Sequence, residues 1–525
     1  MAASEASKLI DSEAEEEEER DVVGAKSMSA SVMATGATVL EALAHIGPGF
    51  IVAASLVDPG NIAGDMQLGV STGDRLLWVV LVGTFIAQFY QMLAARVGVA
   101  TERTLAEVTA EQYHSVPRFV ALALLESTVI GADVQEILGS AIGLMVLSNG
   151  IIPLWAGVLL TSLNTFVFLI LQEIPLGMRI IEVVFTSLIT IMTLAFLDIL
   201  IVAGVDFPSI VKGTFIPNLR ASDLSVVAGM IGAVVMPFNL FLHSYVVHNK
   251  AVNVQGEHHN SGAKTKTMWF LTMDSSIAFA LSFIVNMSIT AVFARGFASP
   301  SYKLAAECTA DNLGLTNAAK CLEKVFGKSS LIPIKYAWGL GLFASGQGGT
   351  TACTMAGQSI LTGFLDYNAK AKTSWTRILL IRAFALIPAL LISIFVRSAA
   401  SISTAYLILN ILQSVMLPFA MLPLLHAVSS RSIMTKRHVM SKLTAILAGW
   451  PLALLIIALN ASLVTFSIQS IESIVIRSCL YGLSIPYAMI VLYSVLGPDT
   501  VRTLLGQRRK SRPEEISLLG DASDT

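Results

Sequence analysis

The sequences DPGN at 58–61 and AVVMPFN at 233–239 each interrupt an apolar run, the first from about residue 46 to 68 and the second from about 224 to 247. A helix in lipid satisfies its backbone groups internally, so irregular backbone at this depth is tolerated only where it is buried in protein or lines a cavity. Paired Pro- or Gly-interrupted segments are typical of a transporter binding site. Because these interruptions carry carboxylate, carboxamide, carbonyl and thioether groups, they predict a cation site.

The composition places the chain in a membrane. Hydrophobic residues make up 54% of the 525 positions and charged residues only 13%, against about 25% charged in soluble domains. We therefore expect the lipid bilayer, and no nucleic acid, as a partner. Since a span takes roughly 20 apolar residues, the sequence predicts twelve spans, at 46–69, 76–99, 119–147, 151–171, 181–204, 224–248, 267–294, 334–363, 375–396, 402–427, 441–465 and 473–496.

The arrangement of these spans predicts an all-α membrane protein with a 5+5 inverted repeat. A broken segment leads each group of five, and an odd number of spans inverts the second group relative to the first. Lysine and arginine are denser in the short loops after even-numbered spans, which predicts cytoplasmic termini. We expect four regions: a disordered acidic cytoplasmic tail at 1–45, a transport core at 46–427, two additional transmembrane helices at 428–497, and a basic cytoplasmic tail at 498–525.

The residues at the interruptions indicate which cation would bind. An aspartate at mid-depth costs about 2.5–3.5 kcal/mol on insertion scales, so Asp58 needs a cation or a proton. Pro59 and Gly60 end the helix and leave carbonyls without partners, and Asn61 adds a neutral oxygen. The sulfur of Met236 is a poor ligand for Ca²⁺ or Mg²⁺ and favours softer transition metals. Taken alone, Met236 would be a packing residue.

A second set of polar residues lies in the third span. Glu126, Asp133 and Glu136 have spacings that put them within about 80° on one helical face. Such carboxylates in a lipid-embedded helix usually mark a proton or ion route. The alternative is that these carboxylates form structural ion pairs with a buried arginine such as Arg382. The two interpretations are compatible, because a network of ion pairs that switches partners is also a proton path. His243 suits proton movement, or is a packing residue.

The four cysteines lack the spacing of a zinc site. Cys308 and Cys321 share one polar loop and could pair if that loop faces an oxidising compartment.

These features resemble the NRAMP family of proton-coupled divalent metal transporters. The similarity runs from about residue 44 through the tenth span and, more loosely, beyond it. The matching motifs are GPGF at 47–50, DPGN at 58–61, ADVQEILGSAI at 132–142, IPLWAGVLLT at 152–161, AVVMPFNLFLHS at 233–244, ASGQGGTTACTMAGQSILTGFLD at 344–366 and LNILQSVMLPFAMLPLL at 409–425.

The resemblance implies a LeuT-type fold with helices 1 and 6 broken, and Mn²⁺ or Fe²⁺ moved together with protons. It implies no enzyme activity and no cofactor, the divalent ion being the substrate. The metal ligands that it implies are Asp58, Asn61, the carbonyl of Ala233 and the sulfur of Met236, approached by Asn410. The implied proton route comprises Asp58, Glu126, Asp133, Glu136 and His243, with Arg382 as a buried partner.

The sequence departs from the family pattern beside the metal ligands. Phe238 stands where the family usually has histidine, which removes a titratable group from this helix. Gly348 and Gly349 stand where the family often has serines.

Two segments in the tails resemble acidic dileucine sorting signals. One contains Glu5, Leu9 and Ile10, and the other contains Glu514, Leu518 and Leu519. They predict sorting adaptors as partners and an endosomal, lysosomal or vacuolar membrane, with the plasma membrane as the alternative.

Other functions remain open at this point. A carrier for Mg²⁺ or Al³⁺ is one alternative, although Met236 argues against magnesium. An uncoupled metal carrier is another, and an NRAMP-like sensor a third, although a sensor would need a soluble output domain longer than 498–525. An ATP-driven pump is disfavoured because the sequence contains no GxxxxGK[ST] phosphate loop, and no catalytic constellation indicates an enzyme.

Overall fold

The computed structural model describes the chain between residues 47 and 500, apart from 175–176, 205, 221–222, 256–260, 298–307, 310–311, 328–331, 366–374, 397, 435–437, 470–471 and 498–499. The described residues form helices and turns, and no strand occurs among them. Both predicted tails, apart from residue 500, lie outside these residues, and so do both predicted sorting signals.

Each of the twelve predicted spans corresponds to helix in the structure. Helix α1 has two halves, α1a (Pro48–Ala54) and α1b (Pro59–Thr72), and helix α6 likewise consists of α6a (Leu224–Val235) and α6b (Pro237–Gln255). The remaining helices are α2 (Leu77–Thr101), α3 (Ser115–Leu147), α4 (Leu154–Glu173), α5 (Gly177–Val202), α7 (Ser261–Phe297), α8 (Ile334–Leu365), α9 (Trp375–Phe395), α10 (Ala399–Met416 and Pro418–Ser429), α11 (Lys442–Thr444, a π turn at Ala445–Gly449, and Trp450–Gln469) and α12 (Ile474–Leu496).

Eight helices in the described part of the chain are long and apolar enough to cross a membrane, judged by length and composition. Helices α1b and α2 count among them as one stretch, Pro59–Thr101, and three further apolar helices are shorter. Helix α8 is not among the eight, although it has 32 residues. Its middle is rich in glycine, serine and threonine, which lowers its hydropathy while it remains buried in protein.

The helices at equivalent positions of the two five-helix groups pack against each other. Helix α3 packs along α8 so closely that a Cβ on Gly143 would lie 2.6 Å from the amide nitrogen of Phe343. The halves of α1 and α6 pair crosswise, α1a with α6b and α1b with α6a. The two helix breaks therefore lie where α1 crosses α6.

Three connections contain helices that the sequence analysis did not predict, at Leu105–Gln112, Phe207–Phe215 and Leu315–Phe326. A disulfide joins Cys308 to Cys321, the pair that the sequence analysis left open. It ties the start of the connection between α7 and α8 to the helix Leu315–Phe326, which packs on α8 and α10.

Candidate cation site at the helix breaks

The first break occurs at Asp58, as the sequence predicts. After the 3₁₀ turn Ser55–Val57 the backbone of Asp58 is extended, and its side chain caps α1b by accepting a hydrogen bond from the amide of Asn61 through Oδ1. The amide group of Asn61 donates to the carbonyl oxygen of Leu56 at 2.9 Å. Both side chains are fully buried, and Asp58 Oδ2 and Asn61 Oδ1 have no hydrogen-bond partner. Two acceptor oxygens at the break are therefore available to a ligand.

The second break occurs at Met236, which has a φ of +43°. Such a conformation is uncommon outside glycine and costs on the order of 1–3 kcal/mol, and such strain clusters at functional sites. Pro237 begins α6b and has no amide hydrogen, so the carbonyl of Ala233 lacks the donor that a continuous helix would supply. The Met236 sulfur accepts a hydrogen bond from Asn239 Nδ2 at 3.4 Å. This break thus offers a carbonyl oxygen and a buried sulfur.

Asn410 on α10 connects to the first break. Its Nδ2 donates to the carbonyl oxygen of Gly60 at 3.1 Å, and its Oδ1 accepts from Gln135 Nε2 at 2.8 Å. Gln135, on α3, also donates to the carbonyl of Tyr406 and accepts from Gln413 Nε2. Helices α3 and α10 are in this way tied to the break in α1. A cavity of about 210 Å³ between α1b and α10 is lined in part by Asn410 and Leu313.

The donor groups at the breaks differ from the usual side-chain metal cluster. No group of three or more His, Cys, Asp or Glu side chains with metal-holding geometry occurs among the described residues. A cation at the breaks would instead use one carboxylate, amide and carbonyl oxygens, and a thioether. Such a mixed set holds a borderline transition metal less tightly than thiolates or several carboxylates would.

The carboxylates predicted on α3 lie in three different environments. Asp133 forms an ion pair with Arg382 and accepts from the Thr350 hydroxyl at 3.2 Å. Both oxygens of Glu136 are buried without a partner, and this residue lies within electrostatic range of Asp133 and Asp58. The carboxylate oxygens of Glu126 are also buried without a partner. The face therefore contains one structural ion pair and two unpaired carboxyl groups.

His243 makes a polar contact with α2. It is fully buried on α6b, where Nδ1 lies 3.1 Å from Gln91 Oε1 on α2. Its Nε2 has no partner. Phe238, one turn before it, is also fully buried.

Several polar residues around the breaks are not predicted from the sequence. Gln135, Tyr406 and Gln413 are single polar residues in apolar helices, so only their contacts reveal their connection to Asn410. Asp65 is different, because a carboxylate inside an apolar segment is itself a signal of function. It is fully buried on α1b.

The fold and the site define a multi-pass membrane transporter whose binding groups lie where two interrupted helices cross. The family described as Natural resistance-associated macrophage protein-like, or Nramp, matches residues 49–466. The metal transporter Nramp6 of Oryza sativa subsp. japonica is 37% identical over 467 residues, which cover 89% of this chain and 83% of that protein. The metal transporter nramp1 homolog of Dictyostelium discoideum is 39% identical over 431 residues, which cover 82% and 76% of the two chains. The chain belongs to the Nramp family.

Solved structures show the same fold. A mutant of the Eremococcus coleocola manganese transporter aligns with a TM-score of 0.74 at 23% identity, covering 87% of this chain and 94% of that chain. Mhp1, a nucleobase-cation-symport-1 family transporter, aligns with a TM-score of 0.50 at 15% identity, covering 86% and 91%. The predicted LeuT-type arrangement is confirmed, and the chain is a transporter rather than an enzyme.

Proposed function

We propose that this protein is a secondary active transporter that moves Mn²⁺ and Fe²⁺ across a membrane by proton symport. The divalent ion is its substrate, held by Asp58, Asn61, the Ala233 carbonyl and Met236, with Asn410 approaching from α10. The observation that carries this proposal is the pair of unpartnered oxygens on Asp58 and Asn61, buried at one helix break where it crosses another. A buried carboxylate oxygen without a partner is costly unless it binds a cation or a proton.

The donor set favours a transition metal over a hard alkaline-earth ion. Calcium and magnesium take oxygen ligands almost exclusively, and magnesium gives up its waters reluctantly. The buried sulfur of Met236 offers them little, whereas Mn²⁺ and Fe²⁺ accept a mixed set of oxygen and sulfur ligands. This argues against Mg²⁺ as the main substrate. The similar protein of Eremococcus coleocola is a manganese transporter.

The proton route that we propose runs from the metal site into α3. Glu136 lies within electrostatic range of both Asp58 and Asp133, and Asp133 is paired with Arg382. Metal binding at Asp58 would change the field at Glu136 and so favour release of a proton toward Asp133. Glu126 continues the route two turns away along α3, and His243 offers a branch through α6b. Phe238 supplies no proton-binding group, so coupling falls to the other residues.

We also propose an orientation in the membrane and a destination membrane. We place the termini in the cytoplasm, residues 46–427 as the transport core and residues 428–497 as two additional helices. The segments around Leu9 and Leu518 would direct the protein to an endosomal, lysosomal or vacuolar membrane through sorting adaptors.

Uptake by proteoliposomes with an internal pH dye tests the proposal. We expect Mn²⁺ entry with matching acidification under an inward proton gradient, and loss of both in Asp58→Ala because the only formal charge at the break is removed. The matched control is Asp74→Ala, which removes a carboxylate outside the site that accepts a hydrogen bond from the Ser209 hydroxyl. Metal entry without acidification would make the protein an uncoupled carrier. Uptake that survives in Asp58→Ala would refute the site.

A second variant tests the role of sulfur. Met236→Ala should retain part of the Mn²⁺ uptake but let Ca²⁺ and Mg²⁺ compete, because the remaining ligands are all oxygens. The measurement is Mn²⁺ uptake against rising Ca²⁺, with Met230→Ala as control for the loss of a methionine on α6a. Unchanged exclusion of calcium in Met236→Ala would contradict the soft-ligand argument.

A further inference from the structure

Helix α7 presents polar residues to the whole length of α1. Its Asp274 accepts hydrogen bonds from the amides of Gly47 and Gly49 at 3.1 and 2.7 Å. Eight residues on, the Ser282 hydroxyl donates to the carbonyl of Ala53 at 3.2 Å, and Asn286 Nδ2 donates to the carbonyl of Leu56 at 3.2 Å. These residues recur at intervals of four or eight, which keeps them on one face. Thr290 is the next member of this stripe.

Beyond the helix break this stripe meets a second pair of polar residues. Asn61 and Asp65 are four apart on α1b, as Asn286 and Thr290 are on α7. Asn61 and Asn286 both donate to the carbonyl of Leu56, which puts them side by side. One turn further along both helices, the Thr290 hydroxyl lies beside the Asp65 carboxylate. The four side chains therefore form a rectangle between α1b and α7.

The oxygens of this rectangle are unusual in lacking hydrogen bonds of ordinary geometry. The Thr290 hydroxyl interacts with the Asp65 carboxylate, but the carboxylate oxygens of Asp65, the Thr290 hydroxyl and Asn286 Oδ1 are buried without a hydrogen bond of ordinary geometry. Asp65, Thr290 and Asn286 are 0–1% exposed. An unpaired charge in such a place is strongly destabilising. Buried polar groups of this kind need a ligand that brings positive charge.

We propose that Asp65, Thr290 and Asn286 form a second cation site, which adjoins the metal site where Asn286 lies beside Asn61 and which takes a monovalent hard cation, namely Na⁺. The site offers oxygen donors only, with no sulfur or imidazole. The site therefore lacks the soft ligand that favours a transition metal at the helix breaks, and its one carboxylate balances the charge of a monovalent ion. The site lies about 10 Å along α1b from Asp58, and the cavity beside Asn410 is lined by other α1b residues.

Direct binding of radioactive ²²Na⁺ to the purified full-length protein tests this site. The pH is fixed, and N-methylglucamine chloride holds the ionic strength constant. The wild type should show one saturable Na⁺ component, and Asp65→Asn should weaken its affinity more than about tenfold, because it removes the buried charge partner at nearly constant shape. Thr290→Val removes only the hydroxyl and should weaken the affinity by less.

Matched variants separate this site from the metal site. Asp74→Asn should bind Na⁺ as the wild type does. Asp58→Asn should lose Mn²⁺ binding yet keep the Na⁺ component, and Asp65→Asn should keep Mn²⁺ binding, which also shows that it is folded. Absence of saturable Na⁺ binding in the wild type would overturn the site, as expected if Asp65 holds a proton instead. So would unchanged Na⁺ affinity in both Asp65→Asn and Thr290→Val. Absence of Mn²⁺ binding in a wild type that still binds Na⁺ would refute the proposed function but not the Na⁺ site.

Discussion

Gly349 on α8 lies directly against the carboxyl group of Glu136. A Cβ at this position would be 1.9 Å from Glu136 Cδ, whereas one on the neighbouring Gly348 would meet Ala54 Cβ at 3.3 Å. The glycine therefore lets an unpaired carboxylate on α3 approach the α8 backbone. A side chain at position 349 would therefore displace Glu136.

This contact leads to a prediction about coupling. Gly349→Ala should keep Mn²⁺ binding, because the obstructing atoms belong to the end of a flexible side chain, but it should lower the acidification per metal ion several-fold. We expect a stability loss of no more than about 1–3 kcal/mol from the added methyl group. Uptake with an internal pH dye measures the ratio, and Gly348→Ala is the matched control. An unchanged ratio in Gly349→Ala would remove Glu136 from the proton route.

For single residues, the sequence predicts which charged side chains matter better than it predicts the groups that they contact. Asp58, Asp133 and Glu136 are conspicuous because a charge in an apolar segment is costly. Gln135 and Asn286 are not conspicuous, because an amide in a helix is common and only the fold shows which backbone carbonyl it contacts. The pairing of Arg382 with Asp133 joins residues 249 positions apart, and it was one of the alternatives that the sequence left open.

Two prolines set the helix breaks, and they act through missing amide hydrogens. Pro59 and Pro237 each occupy the first position of the second half-helix, where proline is well tolerated. The same residues leave a carbonyl without its donor four residues earlier, at Ser55 and at Ala233. Because the rule depends only on local geometry, the sequence places both breaks correctly to within a residue or two.

Restoring one amide hydrogen tests whether the break serves binding. Pro237→Ala gives residue 237 a donor that can reach the carbonyl of Ala233, so this oxygen is partly withdrawn from the metal. We expect roughly two- to tenfold weaker Mn²⁺ binding, the equivalent of one hydrogen bond. Calorimetric titration measures the affinity, and Pro388→Ala, within α9, is the control proline. Equal affinities would show that Ala233 contributes no ligand.

Element length and composition also explain what the sequence missed. The twelve spans follow from apolar length alone, since a bilayer demands about 20 residues. The connecting helices Leu105–Gln112 and Leu315–Phe326 have 8 and 12 residues, too few to stand out from polar loop sequence. The first begins with a capping box between Thr104 and Glu107, a local signal that could have predicted it, while short helices otherwise depend on packing against the spans.

At the scale of the whole molecule, α1 and α7 run parallel and in contact. Polar residues of α7 from Asp274 onward follow α1 from its first turn past the break, in the same order along both helices. Parallel helices six positions apart in the order of spans fit a count in which odd-numbered spans all run the same way. The inverted repeat then places α1 and α6 antiparallel, so that their breaks face each other. The direction of each of these helices in the structure thus agrees with the predicted order of spans.

The orientation relative to the membrane leads to a prediction based on the disulfide. The connection between α7 and α8 follows an odd-numbered span, so cytoplasmic termini place it on the opposite side, where oxidising conditions preserve a bond between Cys308 and Cys321. Cys308 and Cys321 are both buried, so sealed vesicles are labelled in a urea concentration that loosens the connection without opening the bilayer. In a background with Cys353→Ser and Cys479→Ser, a membrane-impermeant maleimide should then label this connection only after reduction and only from the non-cytoplasmic side. Cys308→Ser, which leaves Cys321 without its partner, should be labelled from that side without reduction. Labelling only from the cytoplasmic side would show that every helix has the opposite orientation to the one predicted. Labelling of the unreduced background protein would show that Cys308 and Cys321 are not joined.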